Sequence, residues 1–260
     1  MERTDENVSG KLKQSVSRWC YGKLSLDELC QEASKMGLKA IDLLSVDEIE
    51  IPEKHGLVCS MANGPGSIPK GWNRPENHKE LTEKAKDLLP RIARTQCPNM
   101  IVFSGNREGL SDEEGIENCV QGLKGIMPLA EQHKVTVILE LLNSKRDHKD
   151  YQCDRTAWGA EVVRAVGSER LKLLYDIYHM QIMEGDVIAT IQEFEDCIGH
   201  YHTGGVPGRH EIDSSQELNY TRICEVIVET GFDGFLAHEF TPTRENPLTS
   251  LRQAFEICDV

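Results

Sequence analysis

From residue 12 onward, short apolar runs alternate with longer stretches whose apolar positions recur every three or four residues, the pattern of a parallel sheet covered by helices. Eight runs read as strands: SVSRWCY (15–21), AIDLL (40–44), LVCSMAN (57–63), MIVFSG (100–105), VTVILELL (135–142), KLLYDIY (172–178), IGHYHTG (198–204) and GFLAHEF (234–240). Helical spacing occupies 25–37, 78–95, 112–133, 156–167, 186–197, 219–231 and 247–258, whereas the second crossover, 45–56, is too short and irregular for a helix. Eight strands with intervening helices predict a (β/α)8 TIM barrel, and the absence of a Pro/Ser-rich linker makes 12–260 a single α/β domain. An open doubly wound sheet would fit the same alternation, but no G-x-G-x-x-G follows an early strand to support it.

Composition narrows the function. The 260 residues carry 29 basic and 43 acidic side chains, a formal charge of −14. A field of that sign repels phosphate backbones and anionic lipid, so neither nucleic acid nor a membrane surface is an expected partner. No apolar run approaches the roughly 20 residues of a membrane span. A small neutral or metal-bound substrate fits better, and a homo-oligomer is compatible with everything so far. Nine cysteines, an odd number without a C-x-x-C pair, fit reduced core thiols in a cytoplasmic protein rather than a disulfide framework or zinc knuckle. Residues 1–11 are polar and lack the apolar region of a secretory signal, so they read as a flexible arm and the sequon at Asn7 as incidental.

The chemistry sits where the strand candidates end. In this fold catalytic side chains leave the packed interior at the carboxyl ends of strands. Strand five carries Glu140, strand six Asp176, strand seven His202 and strand eight Glu239, spaced 36, 26 and 37 residues apart. One buried acid is explained by a salt bridge or a helix cap, and Asp176 is well placed to cap the turn that follows it. Three acids and an imidazole at equivalent places make sense together if a divalent cation neutralises them. Three oxygens and one nitrogen suit Mn²⁺, Mg²⁺ or Co²⁺ better than Zn²⁺.

Other side chains cluster nearby in sequence. His179 follows Asp176 by three residues, and GVPGRHE (205–211) supplies Arg209, His210 and Glu211 after strand seven. Arg209 offers a forked donor for a substrate oxygen or carboxylate. Trp19 at the end of strand one, Asn63 at the end of strand three and Phe103 near the end of strand four are candidates for pocket walls.

The phrases ILELLNS, YDIYHMQ, GHYHTGGVPGRHE, ELNY and HEF resemble the hydroxypyruvate isomerase family, part of the xylose-isomerase-like superfamily that also holds the ketose 3-epimerases. The resemblance runs from about residue 15 to the end. It implies a divalent metal on Glu140, Asp176, His202 and Glu239, with Glu140 and Glu239 doubling as the acid/base pair and His179 and Arg209 holding substrate oxygens. The implied reaction moves a carbonyl by one carbon through an enediolate, as in hydroxypyruvate to tartronate semialdehyde. His202 departs from the glutamine often found there in hydroxypyruvate isomerases and matches the habit of ketose epimerases, so 3-epimerisation stands as the alternative. Two further classes compete: a DNA-repair endonuclease on the same barrel, which calls for more histidine ligands and a basic face, and a binding module that has lost turnover.

Overall fold

The protein is described here by a computed structural model covering residues 10–260. Eight parallel strands, β1 (Lys13–Ser17), β2 (Ala40–Leu44), β3 (Val58–Ala62), β4 (Asn99–Val102), β5 (Thr136–Glu140), β6 (Leu171–Asp176), β7 (Ile198–Thr203) and β8 (Phe235–His238), close in chain order into a barrel. The predicted (β/α)8 architecture is therefore the observed one. The helices among the described residues are α1 (Leu26–Met36), α2 (Pro75–Ile92), α3 (Asp112–Lys124), α4 (Met127–His133), α5 (Thr156–Val166), α6 (Ile177–Met183), α7 (Val187–Glu193), α8 (Tyr220–Glu229) and α9 (Pro247–Cys258). None is long and apolar enough to cross a membrane. The crossover at 45–56 holds only a 3₁₀ turn, Pro52–His55, as its irregular pattern predicted.

Several boundaries differ from the sequence pattern, each for a local reason. The first strand stops at Ser17 rather than Tyr21, because the Arg18 guanidinium donates to the carbonyls of Tyr21 and Leu24, both at 2.9 Å, and folds Arg18–Tyr21 into a 3₁₀ turn. Trp19 accordingly sits on that turn, beyond the strand. The helix expected over 112–133 is two helices, since Pro128 offers no N–H to the Lys124 carbonyl and the chain breaks at Gly125 and Ile126. The sixth strand ends at Asp176 instead of Tyr178. There Asp176 Oδ1 accepts from the His179 backbone N–H at 3.0 Å and starts α6 with no intervening loop. Of the arm expected over 1–11, residues 1–9, with the sequon at Asn7, lie outside the described residues; the Lys11 N–H donates to the Val260 carbonyl at 3.3 Å.

The barrel interior is divided. Met61, Ile101, Ile138 and Leu174, from β3 to β6, form their own buried apolar cluster. The opposite sector, built on β1, β2 and β7 with Ser60 of β3, is polar: Ser15, Ser17, Asp42, Ser60, His200 and His202 are all buried. Outside the strands, the large apolar core packs them against the helices.

The loops over the carboxyl ends are tied down as well. Glu211, just after β7, accepts from the Thr243 backbone N–H (2.8 Å), the Thr243 hydroxyl (2.9 Å) and the Ser250 hydroxyl (2.7 Å), stapling its loop to α9. Burial alone would raise its pKa, but these donors outweigh it and hold the carboxyl down to about 2. A carboxylate depressed on folding adds stability that is fully present above its ordinary 4.5 and lost as pH falls toward 2. Glu211→Ala is expected to lower stability at pH 7 by about 2 kcal/mol, with the gap to the wild-type chain narrowing below pH 4. Urea denaturation at pH 7 and pH 3 checks this, and an equal loss at both would contradict it.

Candidate metal centre and active site

The four strand-end residues meet. Glu140 and Asp176 are the last residues of β5 and β6, His202 is next to last in β7, and Glu239 follows β8 by one position. Asp176 and His202 are direct partners across the β6–β7 pairing. One ligand atom from each of the four lies within 4.8 Å of all the others, and all four residues are buried. His202 Nδ1 is 2.9 Å from Glu239 Oε2 and 3.8 Å from both Glu140 Oε1 and Asp176 Oδ2. The strands alone dictate this: with side chains alternating across each strand, Ile138 and Glu140 point inward while Val137 and Leu139 join the outer core.

Arg209 closes the set from above. Its guanidinium bonds Glu239 and lies 3.4 Å from Asp176 Oδ2. It is stacked 5.2 Å from the ring centroids of both Trp19 and Tyr178, and its backbone adopts the left-handed region at φ 57°. Three carboxylates then face one guanidinium and one imidazole, and the low dielectric amplifies the imbalance. Burial, reinforced by the Glu239 charge, pushes Glu140 well above the usual carboxylate range. Burial also carries Asp176 up to about 7 against the pull of Arg209. Glu239 goes the other way: burial would raise it, yet the charges of His202 and Arg209 hold it well below the ordinary value. For His202, burial is outweighed by the Glu239 charge and the bond to Asp42, which lift the imidazole well above its usual range.

This donor set fits a divalent cation. Its ligand atoms converge on one point, three are carboxylate oxygens, and the raised pKa values of Glu140 and Asp176 show that Arg209 and His202 do not by themselves keep all three ionised.

A cavity of about 330 Å³ opens over the set. Its walls include Trp19, Asn63, Phe103, Arg209, Glu140 and Glu239. Trp19 is 49 % exposed at the mouth, with its indole N–H donating to Glu239 Oε1 at 2.6 Å. His179 is not on the cavity wall: it is fully buried behind Asp176, with Nε2 3.7 Å from Asp176 Oδ2 and no hydrogen-bond partner for that nitrogen among the described residues. Its Nδ1 accepts from Asn143 Nδ2 at 2.6 Å, which leaves the proton on Nε2, directed toward the acids. His210 is exposed and bonds the Thr241 carbonyl, while Glu211 is the staple already described. Neither belongs to the cavity wall.

Contributors that escaped the sequence reading include Tyr178, stacked on Arg209, and two more. His148, from the loop after β5, lines the cavity, and no periodicity marks where a loop side chain will point. Asp42, in the middle of β2, bonds His202 from below. An acid inside AIDLL was the available signal, the same one that identified Glu140.

The family described as the xylose isomerase-like TIM barrel matches residues 30–258. A human protein named "Putative hydroxypyruvate isomerase" is 31 % identical over 242 residues, covering 86 % of this chain and 87 % of that one. A 2-oxo-tetronate isomerase of Cupriavidus necator is 41 % identical over 108 residues, 42 % of this chain and 41 % of its own length. Among solved structures, an AP endonuclease, family 2, from Brucella melitensis superposes with a TM-score of 0.84 over 92 % of this chain and 97 % of that one, at 22 % identity, a likeness of fold alone. The matched span, the barrel and the relatives agree: the chain belongs to the xylose isomerase-like TIM-barrel family and, within it, to the isomerases related to hydroxypyruvate isomerase.

Proposed function

We propose that this protein is a divalent-metal-dependent isomerase of short hydroxy-2-oxo acids, moving a carbonyl from C2 to C3 of a hydroxypyruvate-like substrate. The observation that carries the reading is the convergence of Glu140, Asp176, His202 and Glu239 beneath Arg209 at the floor of one small cavity. The names of two relatives, hydroxypyruvate isomerase and 2-oxo-tetronate isomerase, point to the same substrate class.

Glu140, Asp176, Glu239 and His202 Nδ1 would hold the cation. When bound, it supplies positive charge where two adjacent substrate oxygens become negative. The remaining work falls to side chains. Arg209, held between Trp19 and Tyr178, presents planar donors that suit a carboxylate. One of the two glutamates removes the proton from C3, whose electrons form the C2–C3 double bond of an enediolate. The other returns a proton to C2, while the C3 hydroxyl proton passes to the C2 oxygen, so that C3 becomes the carbonyl carbon and C2 carries the hydroxyl. Leu43, Ile68, Ile101, Phe103 and Leu142 form the apolar part of the cavity wall, keeping bulk water from the reacting carbons. A volume of about 330 Å³ lies at the small end of ligand sites, in keeping with a three- or four-carbon acid. A second reading, 3-epimerisation of a ketose, is favoured by His202; there the proton returns to the opposite face of C3.

Glu140→Gln and Glu239→Gln are each expected to slow isomerisation of hydroxypyruvate by roughly 10²–10⁴-fold and to stop deuterium uptake from heavy water, followed by NMR. Unchanged rates in both variants would sink the two-carboxylate mechanism. Arg209→Met should raise KM for hydroxypyruvate by roughly 10–100-fold, with a much smaller effect on any uncharged ketose turned over. Equal losses on both substrates would mean that Arg209 does not read the carboxylate. Chromatography of products from hydroxypyruvate, tetruloses, fructose and allulose separates carbonyl transfer from epimerisation.

A further inference from the structure

Asp42 lies below the four strand-end residues, fully buried and off the cavity wall. Its Oδ2 is 3.0 Å from His202 Nε2, the nitrogen opposite the one that faces Glu140, Asp176 and Glu239. Its Oδ1 accepts from the Ser60 hydroxyl and lies 3.2 Å from His200 Nε2.

The backbone around Asp42 is irregular in a way that serves these contacts. The β2–β3 register runs Ala40 to Val58 and Ile41 to Cys59, then shifts to Asp42 opposite Met61, and returns with Leu44 opposite Ala62. Each strand thus carries one extra residue, Ser60 in β3 and Leu43 in β2, and the two bulges cancel. The first lets Ser60 and Met61 both face the interior, so that a hydroxyl reaches Asp42 while Met61 keeps its place in the apolar cluster. The second places Leu43 at φ 57°, a left-handed conformation that leucine rarely adopts. Bulges at the rim of a barrel re-aim side chains, and backbone held in such a conformation is over-determined by its surroundings.

We propose that Asp42 is a positioning residue for the metal centre: it holds the Nε2–H of His202, so that the Nδ1 lone pair faces the cation held with Glu140, Asp176 and Glu239. A carboxylate at this distance can only accept, which keeps a proton on Nε2 and fixes the plane of the ring, so that Nδ1, 2.9 Å from Glu239 Oε2, is the nitrogen left to give up its proton to a cation; such outer carboxylates orient ligating imidazoles generally. Ser60 and His200 hold Asp42 in turn. This assignment rests on the reading of the four residues as a metal centre. The alternative is a polar network that serves stability alone.

Asp42→Asn separates them, because an amide can donate to Nε2 and so favours the opposite tautomer. Chelator-treated wild-type and variant proteins are titrated with Mn²⁺ against a chromophoric competitor. The variant is expected to bind roughly 10–100-fold more weakly. Equal affinity within twofold would overturn the assignment. Histidine ¹⁵N NMR of the wild-type chain loaded with diamagnetic Zn²⁺ decides the matter even if the variant does not fold: His202 should carry its proton on Nε2, and a proton on Nδ1 overturns the proposal. Failure of the wild-type protein to bind either ion overturns the metal reading and this inference together. Tight wild-type binding with an unaffected variant overturns this inference alone.

Discussion

The structure turns on one electrostatic constraint: four carboxylates, Asp42, Glu140, Asp176 and Glu239, are buried inside or at the rim of one barrel. Each isolated would cost several kcal/mol to desolvate as an ion. The fold answers in two different ways. Below, Asp42 is matched by Ser60, His200 and His202. Above, Glu140, Asp176 and Glu239 share only Arg209 and His202, and burial drives Glu140 and Asp176 toward their protonated forms. In the second, three carboxylates meet two basic side chains, an imbalance that a divalent cation would offset. His202 joins them, with one nitrogen in each.

That division maps onto the barrel itself. The apolar cluster of Met61, Ile101, Ile138 and Leu174 fills one sector of the interior and keeps water from reaching the acids from below. Its neighbours Leu43 and Phe103 continue the apolar wall up into the cavity. A substrate entering past Trp19 meets apolar side chains on one flank and Arg209 with the acids on the other. This polarity suits a short molecule that has a carboxylate at one end and oxygens to be polarised at the other.

Much of this was legible in the sequence because barrel geometry is repetitive. Glu140, Asp176, His202 and Glu239 stand at the outgoing ends of four successive strand candidates, and equivalent strand ends lie at one height in a barrel. What escaped depends on local events that periodicity does not encode. The paired bulges that aim Asp42 and Ser60 inward leave no trace in AIDLL or LVCSMAN. The side-chain bonds of Arg18 bend the chain early and carry Trp19 off the strand to the mouth. Asp176 satisfied both readings of its position: one oxygen caps α6 and the other faces Arg209 and His202. A residue that ends a strand, starts a helix and faces a site shows why a local explanation does not exclude a functional one.

The central claim is that the upper carboxylates and His202 form a single cation site. Crystals grown with Mn²⁺ and measured at a wavelength where manganese scatters anomalously test it directly. One strong peak is expected within coordination distance of Glu140, Asp176, Glu239 and Nδ1 of His202, with Arg209 drawn off Asp176 and Glu239. A map with no peak among these residues, or with its peak between Asp42 and His200, would contradict it.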